Sequence, residues 1–414
     1  MKHILLITYY FPPCGGAAVQ RWVRFLPLLI EAGFSVTVLT TNDGDFPVRD
    51  ESLVSKIPES VKVIRTKTPV FGGVWRSLFG KNSQVPYGNI KPSKNSSLLE
   101  NMMLWVRINL IVPDARVIWN HHAKKAAKKI MITEKIDWVI TTGPPHSTHI
   151  VGLSLKKHYN VKWIADFRDP WTQIFYLKGK SQNAIIRLIN QGLEKAVVGE
   201  ADKVLVVSEL IANQLPRGEK AVLYNGFNKK DFDATKYRVS DKFRIKYIGQ
   251  ITEGQNMEAM LQFLSEFVKK KQIYDVSFWF IGTQSYFAGD YSFPIEKSGF
   301  IPHNKAVQEM TDADLLVLLI NQYDDNMGMV TTKLFEYLAS GTPILCIGPV
   351  NGEAAKVIKQ AQAGFVSLDL DMGVTGYLED VYQRWKTGNP VRNDRDVTQW
   401  SVQQQVGSLI NILS

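Results

Sequence analysis

The chain has 414 residues, of which 45% are hydrophobic and 21% charged, with a formal net charge of +10. That length is too great for one simple core and predicts two domains, and the composition is that of a globular protein rather than a disordered or fibrous one. The two cysteines, Cys14 and Cys346, are too far apart in sequence for a disulfide framework or a metal-ligand motif and fit a reducing cytoplasm; no run of eighteen apolar residues predicts a membrane span.

His3 to Thr8 is a β-rich apolar run, followed by the loop Tyr9-Tyr10-Phe11-Pro12-Pro13-Cys14-Gly15-Gly16. The start has a basic residue and a short apolar stretch, but the Pro-Pro-Gly loop ends it early. A buried first strand is expected rather than a signal peptide. Gln20 to Ala32 predicts a helix and Ser35 to Thr40 a second strand, which together make the βαβ opening of a doubly wound sheet. Gly15-Gly16 at the helix entrance lets the backbone approach a ligand, or makes a tight turn only. The pattern is not Gly-x-Gly-x-x-Gly, and no acidic ribose ligand ends the second strand, so a dinucleotide site is not expected.

Val61 to Thr66 predicts a further strand, and the polar, turn-rich stretch from Gly80 to Ser97 a mobile loop. Leu98 to Val112 is apolar nearly all round, broken by Glu100 and Arg107, and Lys124, Lys125, Lys128 and Lys129 recur at helical spacing. Two accounts stand: a core helix beside a solvated one, or an interfacial helix with a basic patch on an anionic bilayer. Asp137 to Thr142 and Val161 to Ala165 predict strands on either side of a helix from His149 to His158. Their carboxyl ends carry "GPPHS" and "DFRDPW", and ligands gather at such ends in open α/β sheets. His146, Arg168 and Asp169 are the candidate catalytic residues by this location; a structural Arg–Asp pair capping the strand end is the alternative. "ADKVLVVS" and "KAVLYN" close the first domain, whose boundary is expected near Phe232.

The second half begins again with βα units. Phe243 to Tyr247 leads into Ile248-Gly249-Gln250 and the loop and helix "EGQNMEAMLQFLSEFVKK". Ser277 to Ile281 is the next strand, Phe300-Ile301-Pro302-His303 precedes a helix, and Ala313 to Ile320 is a buried strand. Gly328 to Leu345, "GMVTTKLFEYLASGTPIL", reads as a loop, a helix stopped at Ser340-Gly341, and a buried strand. A helix start preceded by Thr331 and Thr332 suits a phosphate, and Lys333 adds a full positive charge. Glu336, three residues on, shares that helix face, where a carboxylate can accept two hydrogen bonds from a ribose diol. These are the parts of a nucleoside diphosphate site. The plainer account is an ordinary αβ unit with a surface Lys–Glu pair. After Val366 the chain reads as helical, ending in a helix from Trp400 to Leu413.

The segment from Gly328 to Leu345 resembles the donor-binding segment of the GT-B glycosyltransferases of family 4, in which a Glu before a short apolar helix and a Ser-Gly-Thr-Pro turn grips the ribose of a nucleotide sugar. Other segments resemble the family in the same order, so the likeness covers most of the chain. "TTGPPHSTH" and "DFRDPW" are similar to members that build bacterial surface polysaccharides, and "YNGFNKKDF" resembles the turn that leads into the linker. The resemblance implies an α/β GT-B fold of two facing Rossmann-like doubly wound domains with a central cleft. Residues 1–231 would form the acceptor domain, 232–392 the nucleotide-sugar donor domain, and 393–414 a helix packing near the junction.

By the same resemblance Gly15 and Gly16 face the donor phosphates and the acceptor. Gly249, Gln250 and Gln255 lie at the diphosphate loop, the Ile301 loop contacts the base through its backbone, and Thr331, Thr332, Lys333 and Glu336 complete the donor site. The chain departs from the family where Gln250 and Gln255 replace the usual Arg and Lys, where Arg168 stands at roughly the position of a His, and where Gly328 stands eight residues before Glu336 in place of a Glu. Asp324 and Asp325 are nearby candidates for the donor sugar. The implied activity is a retaining hexosyltransferase reaction from a UDP- or GDP-linked sugar to a hydroxyl of a glycan or lipid-linked acceptor, in the bacterial cytoplasm or at the inner face of the membrane. No cofactor, metal or nucleic acid is expected. A nucleotide-sugar epimerase of the same fold, acting without acceptor, and a non-catalytic nucleotide-sugar-binding relative are the alternatives.

Overall fold

The computed structural model describes residues 1–414 except 43, 45, 47, 69–101, 103–104, 107, 174–181, 252–253, 283–288 and 322–325. The expected loop from Gly80 to Ser97, the first residues of the apolar stretch from Leu98, and Asp324 and Asp325 lie outside the described residues. The chain divides into two compact units, Met1–Tyr224 with Val406–Ser414, and Asn225–Gln405.

The first unit runs β1 (His3–Ile7), α1 (Ala17–Glu31), β2 (Ser35–Thr41), β3 (Lys62–Thr66), α2 (Asn120–Thr133), β4 (Trp138–Gly143), α3 (Ser147–Tyr159), β5 (Lys162–Phe167), α4 (Ala184–Glu200), β6 (Lys203–Val206), α5 (Glu209–Gln214) and β7 (Lys220–Val222). Its strands form one parallel sheet in the order β3-β2-β1-β4-β5-β6-β7. Leu5 pairs with Thr37 on one side and Val139 on the other. Strands buried on both faces read as continuous apolar runs, and Ile4, Leu5, Leu6 and Ile7 are all fully buried. β5 runs two residues beyond the expected Ala165, which takes Asp166 and Phe167 into the strand. α4 was not among the elements expected from the sequence.

The second unit holds β8 (Phe243–Ile248), α6 (Met257–Lys271), β9 (Val276–Ile281), β10 (Ile295–Ser298), α7 (His303–Thr311), β11 (Leu315–Leu319), α8 (Thr332–Ala339), β12 (Ile344–Ile347), α9 (Glu353–Gln360), β13 (Gly364–Ser367) and α10 (Met372–Lys386). Its parallel sheet has the order β10-β9-β8-β11-β12-β13. The last helix, α11 (Val402–Leu413), begins in the second unit and ends in the first, where the Leu413 carbonyl accepts from Lys2 Nζ (2.8 Å) and Trp138 Nε1 (3.0 Å). In each sheet the strand order reverses once, between β1 and β4 and between β8 and β11. Connections leave such a pair of strands in opposite directions, so a crevice opens at their carboxyl ends.

Candidate functional site

In the second unit the reversal brings the residues after β8 and β11 together with the start of α8. Gly249 follows β8 with φ of +129°. A Cβ there would lie 2.9 Å from Lys333 Nζ, so a larger residue would displace that ammonium as well as strain the backbone. Lys333 Nζ donates to Tyr247 Oη at 2.7 Å. The Tyr247 hydroxyl lies 3.0 Å from both the Gln250 carbonyl and Gln255 Oε1. Gln255 Nε2 donates to the Leu319 carbonyl at the end of β11 (2.7 Å). The Gln255 amide is thus engaged at both ends in bracing the floor of the crevice, while Gln250 is exposed at its edge. Burial pulls the Lys333 ammonium down to about 8, with the Glu336 carboxylate opposing.

α8 starts without a side-chain cap, although Thr331 occupies the capping position. The Thr331 hydroxyl is shut off from solvent and has no hydrogen-bond partner. An uncapped helix start with a lysine in its first turn has the charge and the donors to receive an anion. Glu336 is buried, and its Oε1 lies 3.1 Å from His303 Nε2. His303 opens α7 directly after Ile301 and Pro302, and its Nδ1 lies 3.8 Å from Asp231. The structure therefore gathers Gly249, Gln250, Gln255, Ile301, Thr331, Thr332, Lys333 and Glu336 at one end of one sheet. Gly328, where a Glu was the family expectation, lies beside the start of α9: the adjacent Met327 carbonyl accepts from the Glu353 N–H at 2.7 Å.

In the first unit Gly15 and Gly16 lie in the β1–α1 loop, held by the Gly15 N–H to Val48 carbonyl bond of 2.9 Å. Gly16 has φ of +90° at the uncapped start of α1. His146 and Arg168 lie at the ends of β4 and β5, and Asp169 beside them is exposed. Arg168 is mostly buried, and its Nε donates to the Gly143 carbonyl at 3.1 Å. His146 stacks on Trp171 (5.3 Å between ring centres, 7° between planes), and His149 on Phe167 (4.5 Å, 8°). Neither ring nitrogen of His146 has a well-formed hydrogen bond. Burial drives its pKa down to about 3 and that of His149 well below the usual value, and the Arg168 charge adds to both effects. Both imidazoles are neutral, so any part His146 plays in chemistry is as a neutral base or hydrogen-bonding group.

Sequence reasoning missed what holds this end of the sheet. Asp166 is fully buried and accepts from Trp22 Nε1 (3.1 Å) and Thr142 Oγ1 (2.9 Å), and Arg21 Nη1 lies 3.3 Å from its other oxygen. Arg21, also fully buried, donates to the Leu223 carbonyl (2.8 Å). This pair, Arg21 with Asp166, is not the Arg168–Asp169 pair weighed from the sequence; it joins α1 to β5. The signal was present as Arg21, a charged residue beside Trp22 on the largely apolar α1.

No protein-family model and no curated protein matches this chain. Solved structures do. Sucrose-phosphate synthase from Thermosynechococcus elongatus superposes with a TM-score of 0.64 at 15% identity, over 100% of this chain and 99% of that one. Anabaena HepE in complex with UDP-glucose gives 0.60 at 12% identity, over the whole of both chains. A Listeria monocytogenes protein described as a UDP-N-acetylglucosamine 2-epimerase gives 0.51 at 10% identity, over 99% of this chain and 95% of that one. At such identities the likeness bears on the fold. The two parallel-sheet Rossmann-like units, matched end to end by these proteins, give the chain the GT-B fold.

Proposed function

We propose that the protein is a retaining glycosyltransferase that moves a sugar from a UDP- or GDP-linked donor to a hydroxyl of a glycan or lipid-linked acceptor, in bacterial surface polysaccharide synthesis. The observation that carries this is the grouping of Lys333, the uncapped start of α8 and Glu336 at the reversal point of the second sheet. In the proposed reaction the acceptor oxygen bonds to the anomeric carbon on the face from which the diphosphate departs. The carbon–oxygen bond to phosphate breaks, and the acceptor proton passes to a leaving phosphate oxygen. Lys333 and the α8 amides meet the charge that develops there. The set of donors is preorganised, so the proposal asks for no metal ion, and transfer in excess chelator is expected to match transfer without it.

The test is a thermal-shift screen of nucleotide sugars followed by product analysis. A donor at a hundred times its dissociation constant stabilises the fold by about 2.7 kcal/mol. Stabilisation by one nucleotide sugar, with glycoside and free nucleoside diphosphate formed only when acceptor is present, supports transfer. Conversion of the donor to an epimer without acceptor supports the epimerase reading, an activity that the name of one fold neighbour carries. Stabilisation without turnover points to a binding relative.

A further inference from the structure

Glutamate has a long, flexible side chain, and Glu336 must hold one geometry to receive a diol. The short helix α8 fixes the backbone of Glu336 through its buried residues Leu334, Phe335, Tyr337 and Leu338. It does not by itself fix the carboxylate. Lys333, three residues earlier, gives its ammonium to Tyr247, with Nζ 2.7 Å from Oη and 4.2 Å from the ring centre. A side chain set against the Glu336 carboxylate comes instead from α7: His303 Nε2 lies 3.1 Å from Glu336 Oε1. A carboxylate only accepts, so Nε2 carries the hydrogen in this contact.

His303 is itself held from the other side. It is the first residue of α7, directly after Pro302, whose ring restricts the backbone that enters the helix. Its Nδ1 lies 3.8 Å from Asp231 Oδ2. Asp231 ends the short turn Lys229–Asp231, where its Oδ1 accepts from Asn228 Nδ2 at 2.9 Å. Asn228 Oδ1 in turn lies 3.2 Å from Gln403 Nε2, on α11. The line from Gln403 through Asn228, Asp231 and His303 to Glu336 lies wholly within Asn225–Gln405. The imidazole is 40% exposed and the carboxylate 11%. A histidine so exposed ordinarily turns freely; carboxylates at opposite ring nitrogens hold this one in a single plane.

We propose that His303 is a positioning residue: it fixes Glu336 through Oε1 in the orientation that accepts both hydroxyls of a ribose, and so makes the site selective for ribonucleoside over 2′-deoxyribonucleoside diphosphates. This rests on the reading of Glu336 as the ribose ligand given above. A carboxylate has about four lone-pair sites, and the histidine takes one. A carboxylate already immobilised meets two hydroxyls without giving up its own freedom on binding. A loose one settles for either hydroxyl alone and discriminates less. The imidazole acts through Glu336 and touches no part of the nucleotide.

The test is calorimetry on the full chain with whichever of UDP and GDP the wild type binds more tightly, and with its 2′-deoxy counterpart. His303→Ala should weaken the ribonucleotide roughly three- to tenfold and the deoxynucleotide by less than about twofold. His303→Gln, whose amide nitrogen reaches the place of Nε2, should restore most of the affinity. In a Glu336→Ala background, His303→Ala should cost nothing further. The thermal midpoint checks the fold; if His303→Ala lowers it, His303→Phe keeps a ring, removes the nitrogens and takes its place. Undiminished affinity in His303→Ala, beside a weakened Glu336→Ala, overturns the proposal and leaves the donor site standing. So does an equal loss for the two sugars, a loss that persists without Glu336, or no recovery in His303→Gln. If the wild type binds neither nucleotide, or Glu336→Ala binds as the wild type does, the reading of Glu336 itself fails and this role fails with it.

Discussion

The two units end their sheets in the same topology and treat polar groups there in opposite ways. In the first, charge is sealed inside: Arg21 and Asp166 pair with no access to solvent, and His146 and His149 are held neutral among aromatic rings. In the second, Lys333 rests on the neutral Tyr247 hydroxyl, the buried Thr331 hydroxyl has no hydrogen-bond partner, and α8 starts without a side-chain cap. Burying a charge is tolerable when it is paired, and a buried cation held by a neutral hydroxyl at an uncapped helix start gains from an anion. The first arrangement fixes shape, and the second is poised for a charged ligand. Net charge runs against the simplest expectation. The unit with the phosphate-like site is the slightly acidic one, so the basic excess is not explained by a nucleotide.

The largest effect should come from the sealed pair. Asp166→Asn leaves the Arg21 guanidinium buried without a counter-charge, which costs about 3–5 kcal/mol. Urea unfolding should show the loss, and Asp166→Asn combined with Arg21→Met should recover much of it. A midpoint unchanged in the single variant would mean that the pair does not anchor α1 to β5.

The neutral histidines make a prediction about acid. The unfolded chain takes up a proton on each histidine near the ordinary value of 6.5, but His146 in the folded chain resists until about 3. Stability is therefore complete above pH 6.5 and falls as pH drops towards 3, by about 1.4 kcal/mol per pH unit for each such histidine. His146→Gln should remove one histidine's share of that slope. If the acid limb of the stability curve is equally steep in the variant, His146 is not the buried neutral group described.

In the second unit Glu336→Ala should weaken UDP or GDP binding by about 1.5–3 kcal/mol, the usual range for a hydrogen bond to a charged group, and Glu336→Gln by less. Calorimetry on the folded variant decides this; equal affinity would remove the carboxylate from the site.

Lys333→Ala should harm UDP binding more than UMP binding, because the charge is expected on the β-phosphate. Lys333 also sets the smallest effect. Its pKa of about 8 in the free protein should rise when a phosphate arrives, so binding takes up a proton and affinity declines as pH rises through 8. Between pH 7 and 8.5 the loss should be roughly fourfold, and Lys333→Arg should abolish it. UMP and UDP weakened alike, or an affinity flat to pH 9, would place Lys333 away from the diphosphate.

Much of this was legible in the sequence. Alternating βα runs, with central strands apolar on both faces, dictate parallel sheets covered by helices, and two successive sets of them dictate two Rossmann-like units. The run Thr331-Thr332-Lys333 with Glu336 is local, so helix geometry alone puts cation, donors and carboxylate at one helix start. What lay in long-range contact was not legible. Asp166 read as part of a polar loop until the strand was seen to swallow it and Arg21, far away in sequence, to meet it. Gln255 read as a ligand-facing residue, yet Tyr247 and the end of β11 occupy its amide. α4 is the clearest case. A helical stripe of Ile185, Leu188 and Ile189 would ordinarily be assigned to the core, and only the partners waiting at Trp171 and Thr172 turn Asn190 and Glu194 inward and leave the stripe outside. Periodicity determines which residues share a face; which face is buried depends on what the rest of the fold presents to it.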